Sequence, residues 1–203
     1  MKIDLENITI EQYMYISLMV QTYKEDVDKL NAELIKYVYG DLDVSKKEAD
    51  KTIQDLTGEL MLEPDFVHRF EYQGVEYGFI PNLDEISTAE FIDLDDYIKE
   101  GSQLNKIAAI LYRPITSSNK MLYQIEKYEG TSKYSEIMKG VNYKVAVGAV
   151  VFFCNLRKEL TSSILNYLKT QDTVEIPQGL KDSLQSGIGT LAYTDLLRAT
   201  LQN

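Results

Sequence analysis

The chain has 203 residues, 44% hydrophobic and 26% charged, a globular mixture long enough for one large domain or two small ones. Its net charge of −11 argues against nucleic acid as the main partner, because phosphate repels an acidic surface. The single cysteine rules out an internal disulfide, and the N-terminal Met1–Glu6 has no apolar stretch of the kind a secretory signal needs.

The charge is unevenly placed. Residues 1–100 carry 24 acids and 9 bases, whereas residues 101–203 carry 8 acids and 12 bases. Such a division lets one half face the other, within a chain or between copies, or leaves two independently solvated surfaces. Fifteen tyrosines and no tryptophan make a skewed aromatic choice. Tyrosine suits half-buried positions and interfaces, although an AT-rich genome gives the same bias.

In chain order, Thr9 and Gln12 form a capping box that opens a helix. Apolar residues follow at helical spacing through Tyr13, Ile16, Met19 and Val20, then Leu30, Leu34 and Val38, with a break near Gln21–Thr22 and a stop at Gly40. Ser45 and Glu48 open a second helix through Ile53, Leu56 and Leu60. Strand formers then flank Gln73-Gly74 and predict a hairpin, Val67–Tyr72 with Val75–Ile80. Ser87 and Glu90 open a helix over 88–99, and another follows through Leu104, Ile107 and Leu111. Arg113–Asn119 reads as a loop, because Pro114 and a polar cluster stop the helix. Residues 120–128 suggest a short strand or extended segment, and Ser132–Met138 a short helix ending at Gly140.

The best-defined element is a long helix from about Tyr143 to Leu168. Its first half is apolar almost all round and is expected to be buried centrally; its second half turns amphipathic with Leu160, Ile164, Leu165 and Leu168. The longest apolar run is about half of what spans a bilayer. A loop over Gln171–Gly179, a short helix at Leu180–Leu184 and a terminal helix at Leu191–Leu201 complete the reading. The expected fold class is mainly α, with a long buried central helix and one small β-hairpin. Residues 1–65 form an N-terminal helical region and 66–203 the hairpin plus helical core, together one compact unit.

One local pattern occurs twice. Leu5–Tyr13 and Leu83–Phe91 share an isoleucine before a hydroxyl N-cap and an aromatic four residues after that cap. A shared way of starting a helix explains this better than a duplication, since the likeness ends after nine residues.

The sequence predicts no catalytic, cofactor-binding or metal-binding residue. Gly187 and Gly189 form a GxG pair, yet a preceding strand, a third glycine and an acidic partner are missing. His68 has no ligand set around it, and Cys154 sits in an apolar run as a small core residue. Asp93, Asp95 and Asp96 form the densest acidic group and read as the solvated start of a helix, where the macrodipole favours negative charge. Arg113 reads as a cation at a helix C-terminus, or as half of an ion pair that fixes the following loop.

Four stretches carry a family likeness: Tyr77–Ile86, Glu90–Leu94, Ile107–Ile115 and Gly148–Leu156. Over roughly residues 70–168 the chain resembles small structural or tail-assembly proteins of crAss-like and related tailed phages infecting Bacteroidota. The resemblance implies a non-enzymatic virion component of the connector, neck or tail. It would be made in the host cytoplasm and would act through contacts with copies of itself and with other phage structural proteins. A tail-assembly chaperone that binds a tape-measure protein and then leaves is the alternative. No membrane span, cofactor or metal is expected.

Overall fold

Three capping boxes set the helix starts. Thr9, Ser45 and Ser87 each accept a hydrogen bond from the backbone N–H three residues on, and Gln12, Glu48 and Glu90 each reach back to the cap's own N–H. They open helix α1 (Ile10–Thr22), α3 (Lys46–Met61) and α4 (Thr88–Glu100). Between the first two, Asp26 caps α2 (Val27–Tyr39), so the expected break falls at Tyr23–Asp26. Gly40 and Gly101 end α2 and α4 at positive φ, +67° and +69°, where a side chain would be strained. The structure is a computed structural model that describes residues 3–119 and 122–170. The expected elements after Thr170, with the Gly187–Gly189 pair, lie outside the described residues.

The repeated helix start is seen at both places. Asp4 and Asn82 each accept from a backbone N–H two residues on and open a 3-10 turn, Leu5–Asn7 and Leu83–Glu85. Each turn is followed by the isoleucine and then by the capping box. Ile8 is fully buried, while Ile86 is half-buried.

The hairpin consists of β1 (Arg69–Tyr72) and β2 (Val75–Phe79), paired from Arg69–Gly78 to Tyr72–Val75. Gln73 and Gly74 both have positive φ, 52° and 76°, as the tight two-residue turn that matches strand twist requires. The expectation of a mainly α chain with one small hairpin does not hold. Two further strands follow helix α5 (Leu104–Leu111): β3 (Tyr112–Ser118) and β4 (Tyr123–Ile125). They complete a four-stranded antiparallel sheet in the order β1-β2-β3-β4, and with seven helices among the described residues the fold is α+β.

The segment expected to be a loop after Arg113 is therefore a strand. Its partners come from β2, with Phe79 opposite Tyr112, Gly78 opposite Arg113 and Tyr77 opposite Pro114. Pro114 is tolerated because it lies opposite the end of β4. Its carbonyl accepts from the Glu126 N–H at 3.0 Å, one residue past β4, so its missing donor falls where that ladder finishes. A bulge between Ile115 and Ser117 bends the strand there.

Helix α6 (Ser135–Met138) leads into α7 (Tyr143–Thr170). The most deeply buried helix is α5 rather than α7. Every residue of α5 but Lys106 is buried, whereas α7 buries Tyr143, Ala146–Ala149 and Phe153 and then turns toward solvent at Asn155. Gly148 is the point of closest approach. A Cβ there would lie 2.5 Å from the Asp65 carbonyl oxygen, so the chain before β1 rests directly on the helix backbone.

The N-terminal region belongs to the same core as the rest. Ile10 and Glu11 donate to the carbonyls of Val141 and Lys139, and Tyr143 donates to Ile8. The rings of Tyr13 and Tyr143 stack at 4.6 Å. No helix among the described residues is long and apolar enough to cross a membrane.

Candidate functional site

A groove runs between two stretches of chain that follow one another's direction. One wall is the loop 80–87 after β2; the other is the segment 122–128 that contains β4. The groove has two compartments with Ile80, Pro81 and Asn82 as shared wall.

The first compartment, about 460 Å³, is aromatic. Phe66, Phe79, Phe152 and Tyr123 line it, with Leu83 and Leu122 toward its mouth. The rings brace one another: Phe66 stacks on Phe152 at 4.1 Å and meets Phe79 edge-on at 4.8 Å. His68 packs against Phe66 at 4.5 Å and belongs to this wall. Tyr123 crosses β2 over Gly78, where a Cβ would come within 2.3 Å of its ring, and donates to the Phe79 carbonyl at 2.7 Å.

The second compartment, about 540 Å³, is polar. Arg113 lies in it beside Glu90, joined Nη1 to Oε1 at 2.5 Å, with both side chains 7% exposed. Glu90 also accepts from the Ser87 N–H at 2.8 Å, so one carboxylate both caps α4 and pairs with β3. Burial alone would raise the Glu90 pKa; the hydrogen bonds from Ser87 and the charge of Arg113 outweigh it and hold the group below the usual range. The Arg113 Nε has no hydrogen-bond partner. A guanidinium has five N–H donors, so pairing with Glu90 does not exhaust it. The ion-pair alternative for Arg113 is thus the one realised, with β3 as the element it fixes.

Tyr128 closes this end. Its ring lies 5.7 Å from the Arg113 guanidinium and its hydroxyl donates to Asp93. Burial and the Asp93 carboxylate both push the Tyr128 pKa above its ordinary value. The acidic group of α4 is therefore more than a solvated helix start. Asp95 binds Arg157 at 3.0 Å and Lys99 at 2.5 Å, tying α4 to α7. Asp96 is exposed. On the far side Glu126 accepts from Lys133 at 2.7 Å and from Tyr134 at 2.5 Å.

No family profile, curated protein or solved structure matches this chain.

No group of three or more His, Cys, Asp or Glu residues among the described residues is placed to hold a metal ion. Cys154 is half-buried, and burial raises its thiol pKa, which disfavours the reactive thiolate. The groove was not foreseen from sequence. His68, Ser87 and Glu90 draw notice in the sequence for other reasons; Arg113 is the member that calls for a partner, as a charged residue directly after an apolar helix and before proline. Glu90 lies 23 positions away and shows only as a helix cap.

A second surface feature lies on α1. Tyr15 and Leu18 are exposed, Leu18 at 57%, beside Met14 in a shallow cleft of about 350 Å³. Glu11 and Lys139 stand among its lining residues.

Proposed function

We propose that this chain is a non-enzymatic bacteriophage structural protein, acting in a connector, neck or tail through contacts with copies of itself and with other particle proteins. The observation that carries the binding part of the reading is the outer face of α1. The inner face of that helix buries Tyr13, Ile16 and Val20, while Leu18 and Tyr15 stand in solvent beside an apolar cleft. Exposed large apolar side chains grouped beside a cleft mark a surface that another protein covers. The likeness over residues 70–168 supplies the particle context, and the division of charge suits neighbouring copies that stack acidic half against basic half.

Mass spectrometry of purified particles, with light scattering on the pure chain, tests this. The expected result is the chain in mature particles and an oligomer in solution that Leu18→Glu dissociates. Presence in assembly intermediates with absence from mature particles would turn the reading to a tail-assembly chaperone. Absence from both would overturn it.

A further inference from the structure

We propose that the groove between loop 80–87 and segment 122–128 binds an extended peptide from a partner protein, one that carries an apolar side chain followed closely by a lysine or arginine. This goes beyond the particle reading and involves a different surface from α1.

The shape argues for an extended occupant. The walls advance together: Leu83 and Asp84 face the compartment that Leu122 and Tyr123 line, and Glu85–Ser87 face the one lined by Gln124–Tyr128. Extended, a stretch such as 122–128 spans about 20 Å, the reach of a six-residue strand. The two compartments share Ile80, Pro81 and Asn82 as a wall, so neighbouring side chains of one extended segment can enter them in turn. β4 ends the sheet and has a strand neighbour on one side only, so its main chain has bonding groups left to offer.

The chemistry specifies the side chains. The aromatic compartment offers ring faces and edges with no buried charge, which suits a phenylalanine, leucine or similar group. Next to it Asp84 and Glu85 stand exposed on the loop wall. Glu126 lies opposite but is already paired with Lys133, and Lys127 is the exposed cation among the lining residues, so Asp84 and Glu85 carry the acidic character. The exposed rim is thus acidic overall and complementary to a basic residue. Arg113 is among the residues that line the polar compartment, and a guanidinium paired through Nη1 with Glu90 keeps further N–H donors of the kind that suit a peptide carbonyl.

The test uses the full chain and labelled hexapeptides in a glycine–serine background. Each carries one phenylalanine and one lysine, two or four positions apart. Counterparts replace the lysine with glutamate or the phenylalanine with serine. Fluorescence anisotropy is expected to show saturable binding of a phenylalanine–lysine peptide, weakened at least tenfold by either replacement. Asp84→Lys with Glu85→Lys, on the exposed rim, is expected to weaken binding by a similar factor and to reverse the preference between lysine and glutamate. Leu122→Ser is expected to weaken only peptides that carry phenylalanine. Circular dichroism checks that each variant stays folded. Absence of binding by every peptide, equal binding of lysine and glutamate forms, or a charge-reversed variant that binds like its parent would each overturn the proposal. A chain present in particles that binds none of these peptides would sink the groove and leave the structural role standing.

Discussion

At the level of single residues, the tyrosines explain much of how distant parts of the chain are fastened. Tyr143 donates to the Glu59 carbonyl at 2.9 Å, Tyr112 to Val67 at 2.5 Å and Tyr123 to Phe79 at 2.7 Å, each across more than forty positions. A ring fills core space while its hydroxyl donates to a backbone carbonyl far along the chain. Phenylalanine would keep the ring and lose that tie. Arg113 and Glu90 present the opposite case, a buried charge pair whose members depend on each other. Arg113→Met is expected to cost about 3–5 kcal/mol in urea unfolding, because Glu90 is left charged and uncompensated. Adding Glu90→Gln, which keeps the capping box, is expected to recover a large part of that loss. The sign of the pH effect follows from the lowered Glu90 pKa. Its contribution is present above the carboxyl's unfolded pKa and disappears as pH falls through the depressed folded value. Stability measured from neutral pH into the acid range is therefore expected to fall less steeply in Glu90→Gln than in the parent. Arg113 itself was conspicuous in sequence, but its partner was not, because a contact between α4 and β3 leaves no local pattern.

Among the elements, helix starts and the local hairpin were legible, and the long-range strand partners were not. A capping box is local: Ser87 and Glu90 are three residues apart, and the sequence contains everything the contact needs. The β1–β2 hairpin was readable for the same reason, since its turn is two residues long. β3 was missed because nothing near Arg113–Ser118 declares a strand. Proline, threonine and serine suggest a loop, and the pairing that overrides them comes from β2, more than thirty residues earlier. The groove shares that origin, as its walls meet only once the sheet has formed. Gly148 on α7 sets two element-scale effects against each other. Helix propensity favours Gly148→Ala by about 1 kcal/mol. The new methyl would press on the Asp65 carbonyl, a main-chain atom that cannot swing aside. Overpacking of this kind costs about 1–3 kcal/mol, so the variant is expected to melt at a lower temperature than its parent. A higher melting temperature would mean that the chain at 64–65 can lift off the helix.

Across the whole molecule, the first helices and the last described one are built into each other. α1 is held by main-chain bonds to 139–143, and the ring of Tyr13 lies on that of Tyr143. Removing residues 1–25 would strip one side of the core that α5 occupies. The truncated chain is expected to lose its cooperative unfolding transition and the near-ultraviolet dichroism of ordered aromatic rings. A truncated chain that still melted sharply would mean that the N-terminal region is an independent unit. The tyrosine fasteners have an optical consequence for such experiments. With no tryptophan in the chain, absorbance and emission in the near ultraviolet come chiefly from tyrosine. Burial raises the pKa of Tyr112 and Tyr143, and burial with the Asp93 contact raises that of Tyr128. A raised pKa means the neutral phenol stabilises the fold below its unfolded value, near pH 10, and that this contribution drains away as pH climbs further. An alkaline titration of the native protein should therefore colour in two waves. Exposed phenols ionise first, and the fasteners follow only as the structure opens, so the second wave is a readout of unfolding that needs no added dye.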